Sequence, residues 1–412
     1  MPNTVLTASI IAKEATMILE NELGMAKNVY RGYEKEYDQR VNGYTPGATV
    51  TIKKPTDFTV RDGATASIQD VVEGSTSITV NKQKGVDFQF SSVELSLSIK
   101  ELSQRVIKPA MVQLANQIDR DLFALYADVP NWVGTPGQVV NSFADFAKAP
   151  ERMDLLAVPS GDRTALLSPT DFWGLVGNQT SLYIQNAANS AYREGSLGKL
   201  GGIDTGMSQN VPTHTVGPFG GTPLVNGANQ ATTYALTKDT GTASLITDGW
   251  TAAAAARVKA GDVFTIAGVF DVNPVTKATL PHLKQFVVTA DGSSDGSGNL
   301  TLSYAPAIIA SGAFQNVSAG PADNAALTFL GTASTGYAQN LVFHKNAFAL
   351  AMVPMVAPPG AVDVARESYN GVSVRIIPYY DGTNDIAKWR CDVLYGVKTI
   401  DRRLALRLSG TA

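Results

Sequence analysis

Soft-metal or thiol chemistry in this 412-residue chain would draw on three histidines, His214, His282 and His344, and one cysteine, Cys391. A transition-metal site needs several nitrogen or sulfur ligands at short spacings, and a zinc-protease helix needs the H-E-x-x-H pattern. No histidine here has another histidine, a cysteine or a carboxylate at such a spacing. Each histidine reads as a structural or surface residue, and Cys391 as a core thiol with no partner for an intrachain disulfide. The stretch GMSQN (206–210) begins like a nucleophile elbow, but Asn210 stands where that strained turn needs glycine. Gly198-Lys199 resembles the end of a phosphate-binding loop, yet Arg193 replaces the leading glycine and Leu200 the Ser or Thr, so a flexible joint is the better reading. Asp291 and Asp295 lack the spacing and closing glutamate of a calcium loop and read as a solvated turn. DRRLALR (401–407) is a small basic cluster. It reads as a charged rim at a strand end, with contact to nucleic acid or to a partner's carboxylate as the sharper alternative. The expectation is a chain with no catalytic, cofactor-binding or metal residues, and so not an enzyme.

Composition agrees. Apolar residues are 44%, enough for sizeable cores, while charged residues are 17%, below the roughly 25% usual in soluble domains. With 37 Gly and 20 Pro the chain suits strands, loops and extensive contact surfaces. Its length suggests two or three domains. A net charge of −3 gives no general attraction for phosphate backbones. No stretch is long and apolar enough to span a membrane, and no signal peptide is visible.

The elements follow from periodicity. Residues 4–29 predict an amphipathic helix with Ile11, Ala15, Ile18 and Glu22 on one face and Leu19 beside them. Residues 63–90 alternate at Ile78, Val80, Val86, Phe88 and Phe90 between Gly-containing turns, which predicts a long β-hairpin. Such a ribbon is marginal alone in water and calls for support from a neighbouring chain. Residues 108–129 place Met111, Ala115, Ile118, Leu122 and Leu125 on one stripe, with Asp119, Arg120 and Asp121 mostly off it. Residues 141–177 read as helix, turn, a short buried strand at Thr164–Leu167, and a helix opened by Ser168-Pro169-Thr170-Asp171. Residues 193–217 are glycine-rich and loop-like. VKAGDVFTIAGV (258–269), LKQFVVTA (283–290), GNLTLSYA (298–305) and NAALTFLG (324–331) are strand signatures. They define an all-β module over 221–336, bounded by Gly-rich joints, inside a mixed α/β region that resumes at 340–355 and continues in strands at 372–382 and 388–410.

The order of these parts resembles the major capsid proteins of tailed bacteriophages with the Hong-Kong-97-type fold. The resemblance is carried by VPSGDRTALLSPTDFWGLVG (158–177), REGSLGKLGGIDTGMSQNVPTHTVG (193–217), NLVFHKNAFALAMVPM (340–355) and DVLYGVKTIDRRLALRL (392–408). VKAGDVFTIAGVFDVNPVTK (258–277) and PAIIASGAFQNVSAGPADNAAL (306–327) look like the extra β-barrel of coat proteins from short-tailed Salmonella-type phages. The resemblance implies an α+β capsid fold. Residues 1–57 would be an N-terminal arm and the start of the peripheral domain, 58–91 an extended β-hairpin loop, and 92–140 a peripheral domain with its spine helix. Residues 141–220 would open an axial domain, 221–336 form an inserted β-barrel domain, and 337–412 close the axial domain and return to the peripheral one.

The implied function is a structural subunit that assembles, as pentamers and hexamers, into the icosahedral shell of a procapsid and then a mature head around double-stranded DNA. Implied partners are copies of the chain, a separate scaffolding protein, a portal protein and non-specifically held DNA, with no cofactor and no membrane. The location would be the virion capsid, assembled in the host bacterial cytoplasm. The arm begins at once, which implies no removable leader, and no Lys-to-Asn cross-link is expected. Candidate inter-subunit contacts are Arg61, Lys82, Lys84, Lys238, Asp239, Arg402 and Arg403. A bacterial nanocompartment shell, disfavoured by the inserted barrel, and a hydrolase with a binding barrel, disfavoured by the missing acid/base pair, are the alternatives.

Overall fold

The computed structural model describes residues 8–34, 48–54, 56–66, 68–69, 71, 73–91, 106–179, 195, 197–230, 241–361, 364–369 and 371–411. The chain is α+β and divides into two compact units. The first takes Met1–Ile52, Ser77–Phe123 and Phe348–Lys398, and the second takes Lys53–Thr76, Ala124–Ala347 and Thr399–Ala412.

In the first unit, helix α1 (Ala8–Glu22) packs on helix α2 (Lys108–Phe123). Of the expected α2 stripe Met111, Ala115, Ile118 and Leu122 are buried, while Leu125 lies half-buried beyond the helix end. The helix spans about 24 Å and is followed by a 3-10 turn, Ala124–Asp128. In α1 the buried stripe is Ile11, Ala12, Ala15, Thr16, Leu19 and the following Leu23, while Glu22 is exposed. Thr16 tolerates burial because its hydroxyl donates to the Ala12 carbonyl at 2.8 Å.

The chain leaves the helix at Gly24 and makes a 3-10 turn, Met25–Lys27, rather than running on to residue 29. Asp119 of α2 supplies the reason. Its buried carboxylate accepts the backbone N–H groups of Gly24 (2.7 Å) and Ala26 (3.0 Å). Burial pushes the Asp119 carboxyl up from its ordinary range, against these backbone donors. Asp119→Ala is expected to lower unfolding free energy by about 2–3 kcal/mol, since two buried donors lose a charged acceptor. Chemical denaturation measures this. A change below about 0.5 kcal/mol, the range of an ordinary surface substitution, would show the contact to be idle.

The sheet of this unit orders its strands Phe348–Met352, Ile386–Thr399, Val372–Asp381, Ala365–Tyr369. Strand Lys82–Ser91 joins it, pairing antiparallel with residues 386–395 from Ser91↔Ile386 to Lys82↔Tyr395. This corrects the hairpin expected over 63–90. Its second strand belongs to the sheet of its own unit. Its first, Ser75–Thr79, pairs with Thr49–Lys53. The Val86 and Phe88 face suits a sheet packed on one side, and Phe88 stacks on Trp389 of the neighbouring strand with ring centroids 6.4 Å apart.

The second unit holds a mixed sheet ordered Trp132–Val133, Ala405–Leu408, Asn340–His344, Arg163–Leu167, Ile203–Met207, Lys199–Leu200. The region 193–217 is therefore partly strand rather than loop. Gly201 and Gly202, both at positive φ, form the turn that folds Lys199–Leu200 back on Ile203–Met207. Helices α3 (Phe143–Leu155) and α4 (Pro169–Gln179) contribute to the same core through Phe146, Ala149, Met153, Phe172, Leu175 and Val176. The second starts at the predicted Ser168-Pro169-Thr170-Asp171, and the first starts the same way at Ser142. Ser142 accepts the Asp145 N–H at 3.1 Å and Ser168 accepts the Asp171 N–H at 3.2 Å, each serine hydroxyl donating back to the aspartate.

Residues 221–329 of this unit supply a six-stranded antiparallel sheet. Its order is Leu327–Phe329, Val263–Val272, Thr279–Val288, Leu300–Ala305, Ala243–Trp250, Gly221–Val225. A bridge between Leu224 and Ala326 brings the first and last strands together. Phe264, Phe286, Tyr304 and Phe329 pack inside it, with successive ring centroids 5.4–6.0 Å apart. The Gly336–Ala338 strand then pairs with Thr213–Thr215, so the chain returns beside the point from which it left.

Candidate assembly surface

The described surface carries one concentration of exposed apolar side chains on an extended loop. Strands Thr49–Lys53 and Ser75–Thr79 form its root, continued by backbone bonds from Val80 N–H to the Ala48 carbonyl and from Lys54 N–H to the Gly74 carbonyl, each 2.8 Å. Lys53 pairs with Glu73 at 2.9 Å on the outside. Further out, the Gln69 side chain takes the place of a strand partner. Its Oε1 accepts the Thr59 N–H at 2.9 Å and its Nε2 donates to the Thr59 carbonyl at 2.6 Å. Arg61 Nη1 donates to the carbonyls of Gly63 and Thr65. Polar cross-ties thus shape the loop, and its apolar groups are left outside. Phe58 is 57% exposed, Val60 100%, Ile68 95% and Val71 69%. Four exposed large apolar side chains on one loop mark a candidate contact site. Burying their exposed parts would contribute about 5–10 kcal/mol, at about 1.5–3 kcal/mol for a complete burial.

The other predicted contacts are dispersed. Lys82 makes an ion pair of 3.2 Å with Asp121 of α2, which also accepts the Tyr395 hydroxyl at 2.7 Å. Lys84 is half-buried on the same strand face. Lys238 and Asp239 lie outside the described residues. Arg403 grips Asp401 through Nε and Nη2 at 2.8–3.2 Å, whereas Arg402 keeps a buried Nη1 without an acceptor. The sequence thus singled out Arg61 within the loop but not the four apolar residues around it. Their signal was an apolar set with no helical or strand period, which had been absorbed into the hairpin.

The remaining motifs make local hydrogen bonds. His214 bridges the Tyr126 hydroxyl (3.0 Å) and Asp262 (2.8 Å). His344 accepts the Asn346 N–H, and burial holds its imidazole below the usual range. Ser208 accepts the Asn210 N–H in a local turn. Asp295 accepts N–H groups of Ser297 and Asn299 at 2.8 Å, forming the turn expected of it. Among the described residues no group of three or more His, Cys, Asp or Glu gathers to hold a metal ion.

Cys391 is buried, and burial pushes its thiol up to about 12, with Asp392 and Asp87 adding to the shift. The native chain is expected to resist a thiol-specific chromogenic reagent at mildly alkaline pH while the unfolded chain titrates one thiol. Rapid stoichiometric labelling of native protein would contradict that burial.

Arg407 corrects the reading of 401–407 as a charged rim. It is 0% exposed, and its guanidinium lies over the rings of Tyr126 (5.2 Å) and Trp132 (5.6 Å). Its Nη1 donates to the Gly261 carbonyl (2.8 Å) and to Gln339 Oε1 (3.1 Å). A strand covered on both faces buries its polar positions too, so alternation could not reveal this.

The family model described as P22 coat protein, gene protein 5, matches residues 3–405. A curated relative, the major capsid protein of Acyrthosiphon pisum secondary endosymbiont phage 1, is 23% identical over 365 residues, covering 84% of this chain and 85% of the relative. Among solved structures, Mycobacterium phage Che8 aligns with a TM-score of 0.48 at 13% identity, covering 93% of this chain and 90% of that one. The capsid of Ralstonia phage GP4 aligns with a TM-score of 0.44 at 10% identity, covering 95% and 90%.

Proposed function

The chain belongs to the P22 coat protein family and is a major capsid protein, and we propose that its extended loop is the element by which copies grip one another in the shell. Its role is structural, as a subunit of the homo-oligomeric shell of a phage virion. The observation that carries the proposal is the outward-facing set Phe58, Val60, Ile68 and Val71 on a loop already shaped by its own polar ties. A loop built this way needs a covering surface but no refolding to reach it, which keeps the entropic penalty of association low. In closed point-group assemblies the complementary surface lies on another copy, and repetition closes the shell.

In this reading the clasp is the loop 54–74, while Lys82–Ser91 stays in the subunit's own sheet and 108–129 act as the spine. Residues 141–220 and 337–412 form the axial region, and 221–336 form the inserted β-barrel domain. Pentamers and hexamers of the chain, guided by a separate scaffolding protein and a portal protein in the host cytoplasm, build a procapsid that matures around double-stranded DNA. The net charge of −3 supports a lining that lets DNA pass without tight binding. The test is to concentrate the purified full chain, alone and with the scaffolding candidate of its own phage, and to examine it by size-exclusion chromatography and negative-stain microscopy. Closed particles tens of nanometres across are expected. A chain that stays monomeric under every condition would refute the proposal.

A further inference from the structure

A small cleft in the second unit has a lining that includes Lys277, Lys284, Arg402 and Arg403 against the single acid Asp57. Three of these cations are already engaged. Lys277 Nζ donates to the Ala313 carbonyl at 2.6 Å, Lys284 pairs with the buried Asp271 at 3.0 Å, and Arg403 is held by Asp401. Asp271 also faces His282 at 3.4 Å and lies close enough to Arg152 for its charge to act on that guanidinium. The wall and its backing therefore hold five cations, counting Arg152, against four carboxylates, Asp57, Asp271, Asp401 and the Glu151 that also acts on Arg152. Arg402 Nη1 is buried without an acceptor, and so is Arg152 Nη1. The lining residue Asn131, 3% exposed, has an unpartnered side-chain Oδ1, and turning that amide over presents its N–H₂ instead.

Buried guanidinium donors without acceptors are costly, and a net positive wall lowers the free energy of any anion placed beside them. We infer that this cleft is a binding site for a small oxyanion, held chiefly by Arg402 with Lys277 and the Asn131 amide alongside. A planar carboxylate and a tetrahedral phosphate both match the fork of an arginine. Asp57 stands on the same wall, one residue before Phe58. It opposes an anion there and sets the direction of a second variant.

The experiment is calorimetric titration of the full chain, kept unassembled at low concentration, with inorganic phosphate and separately with acetate at constant ionic strength. Saturable phosphate binding is expected, with a dissociation constant on the order of 1 mM, typical of a small ligand held by a few charge-assisted bonds. Arg402→Gln should weaken it at least tenfold, and Asp57→Asn should tighten it several-fold. A conservative change at the exposed Arg366, Arg366→Gln, should leave it unchanged. If acetate competes with phosphate, the site takes carboxylates, as a side chain of another polypeptide would offer. If phosphate alone binds, the source is a phosphate group. Absence of saturable binding by either anion, or binding indifferent to both Arg402→Gln and Asp57→Asn, overturns the inference. The aspartate variant keeps the test decisive should the arginine variant fold poorly.

Discussion

A full chain carrying Val60→Asp and Ile68→Asp is expected to form no closed particles while melting as the unaltered subunit does. Val60 and Ile68 are the most exposed of the loop's apolar residues, at 100% and 95%, so neither contributes measurably to the subunit's own stability. The ties that shape the loop run through Gln69, Thr59 and Arg61, which the substitutions leave alone. In the assembled state the change acts twice. Apolar burial of about 1.5–3 kcal/mol per side chain is lost, and two carboxylates would have to be desolvated without partners. Each 1.4 kcal/mol is about a tenfold change in an association constant, so particle yield should fall by roughly a hundredfold or more at a fixed concentration. Sedimentation of assembly mixtures measures the yield, and circular dichroism of unassembled subunits measures the melt. Particles at the unaltered yield would remove the loop from the interface. A lowered melt would mean the residues serve the subunit itself.

The second large effect is at Arg407. Truncation to alanine is expected to lower unfolding free energy by about 3–5 kcal/mol. Two effects oppose each other. The guanidinium is wholly buried, which pulls its pKa down to about 10, with Tyr126, Asp262 and Asp128 acting in the other direction. Removing the charge relieves that desolvation. It also strips the Gly261 carbonyl and the Gln339 amide of their donor and empties the space over the Tyr126 and Trp132 rings. In alanine both losses are complete, and they outweigh the relief. Methionine separates them by filling the space without donating, and a loss of about 1–2 kcal/mol is expected there. Urea midpoints for the three proteins suffice. Alanine within about 1 kcal/mol of the unaltered chain would show that the buried charge was a burden rather than a tie.

Several features were legible because they are local. The α2 stripe repeats within a few turns, and the Ser168 cap lies three residues from the Asp171 it engages. The strand signatures at 258–269, 283–290 and 298–305 fall on strands Val263–Val272, Thr279–Val288 and Leu300–Ala305. The order of segments shared with phage coat proteins was legible as well. What went astray depended on distant partners. Strand Lys82–Ser91 has the alternation of a ribbon, but its ladder partner is Ile386–Tyr395, roughly three hundred residues on. Asp119 was placed off the helix stripe, yet it is buried because Gly24 and Ala26 present their N–H groups to it.

The amino-acid order by itself determined which segments coil or extend, where helices begin, and the kinship of the whole with phage coat subunits. Tertiary structure alone decided which strands share a ladder, that Arg407 lies inside and Phe58, Val60, Ile68 and Val71 outside, and that basic residues from separate segments line one cleft. The physical reason is range. Backbone sterics and side-chain periodicity act over a few residues, whereas burial and hydrogen-bond pairing depend on whichever remote surface the fold brings near.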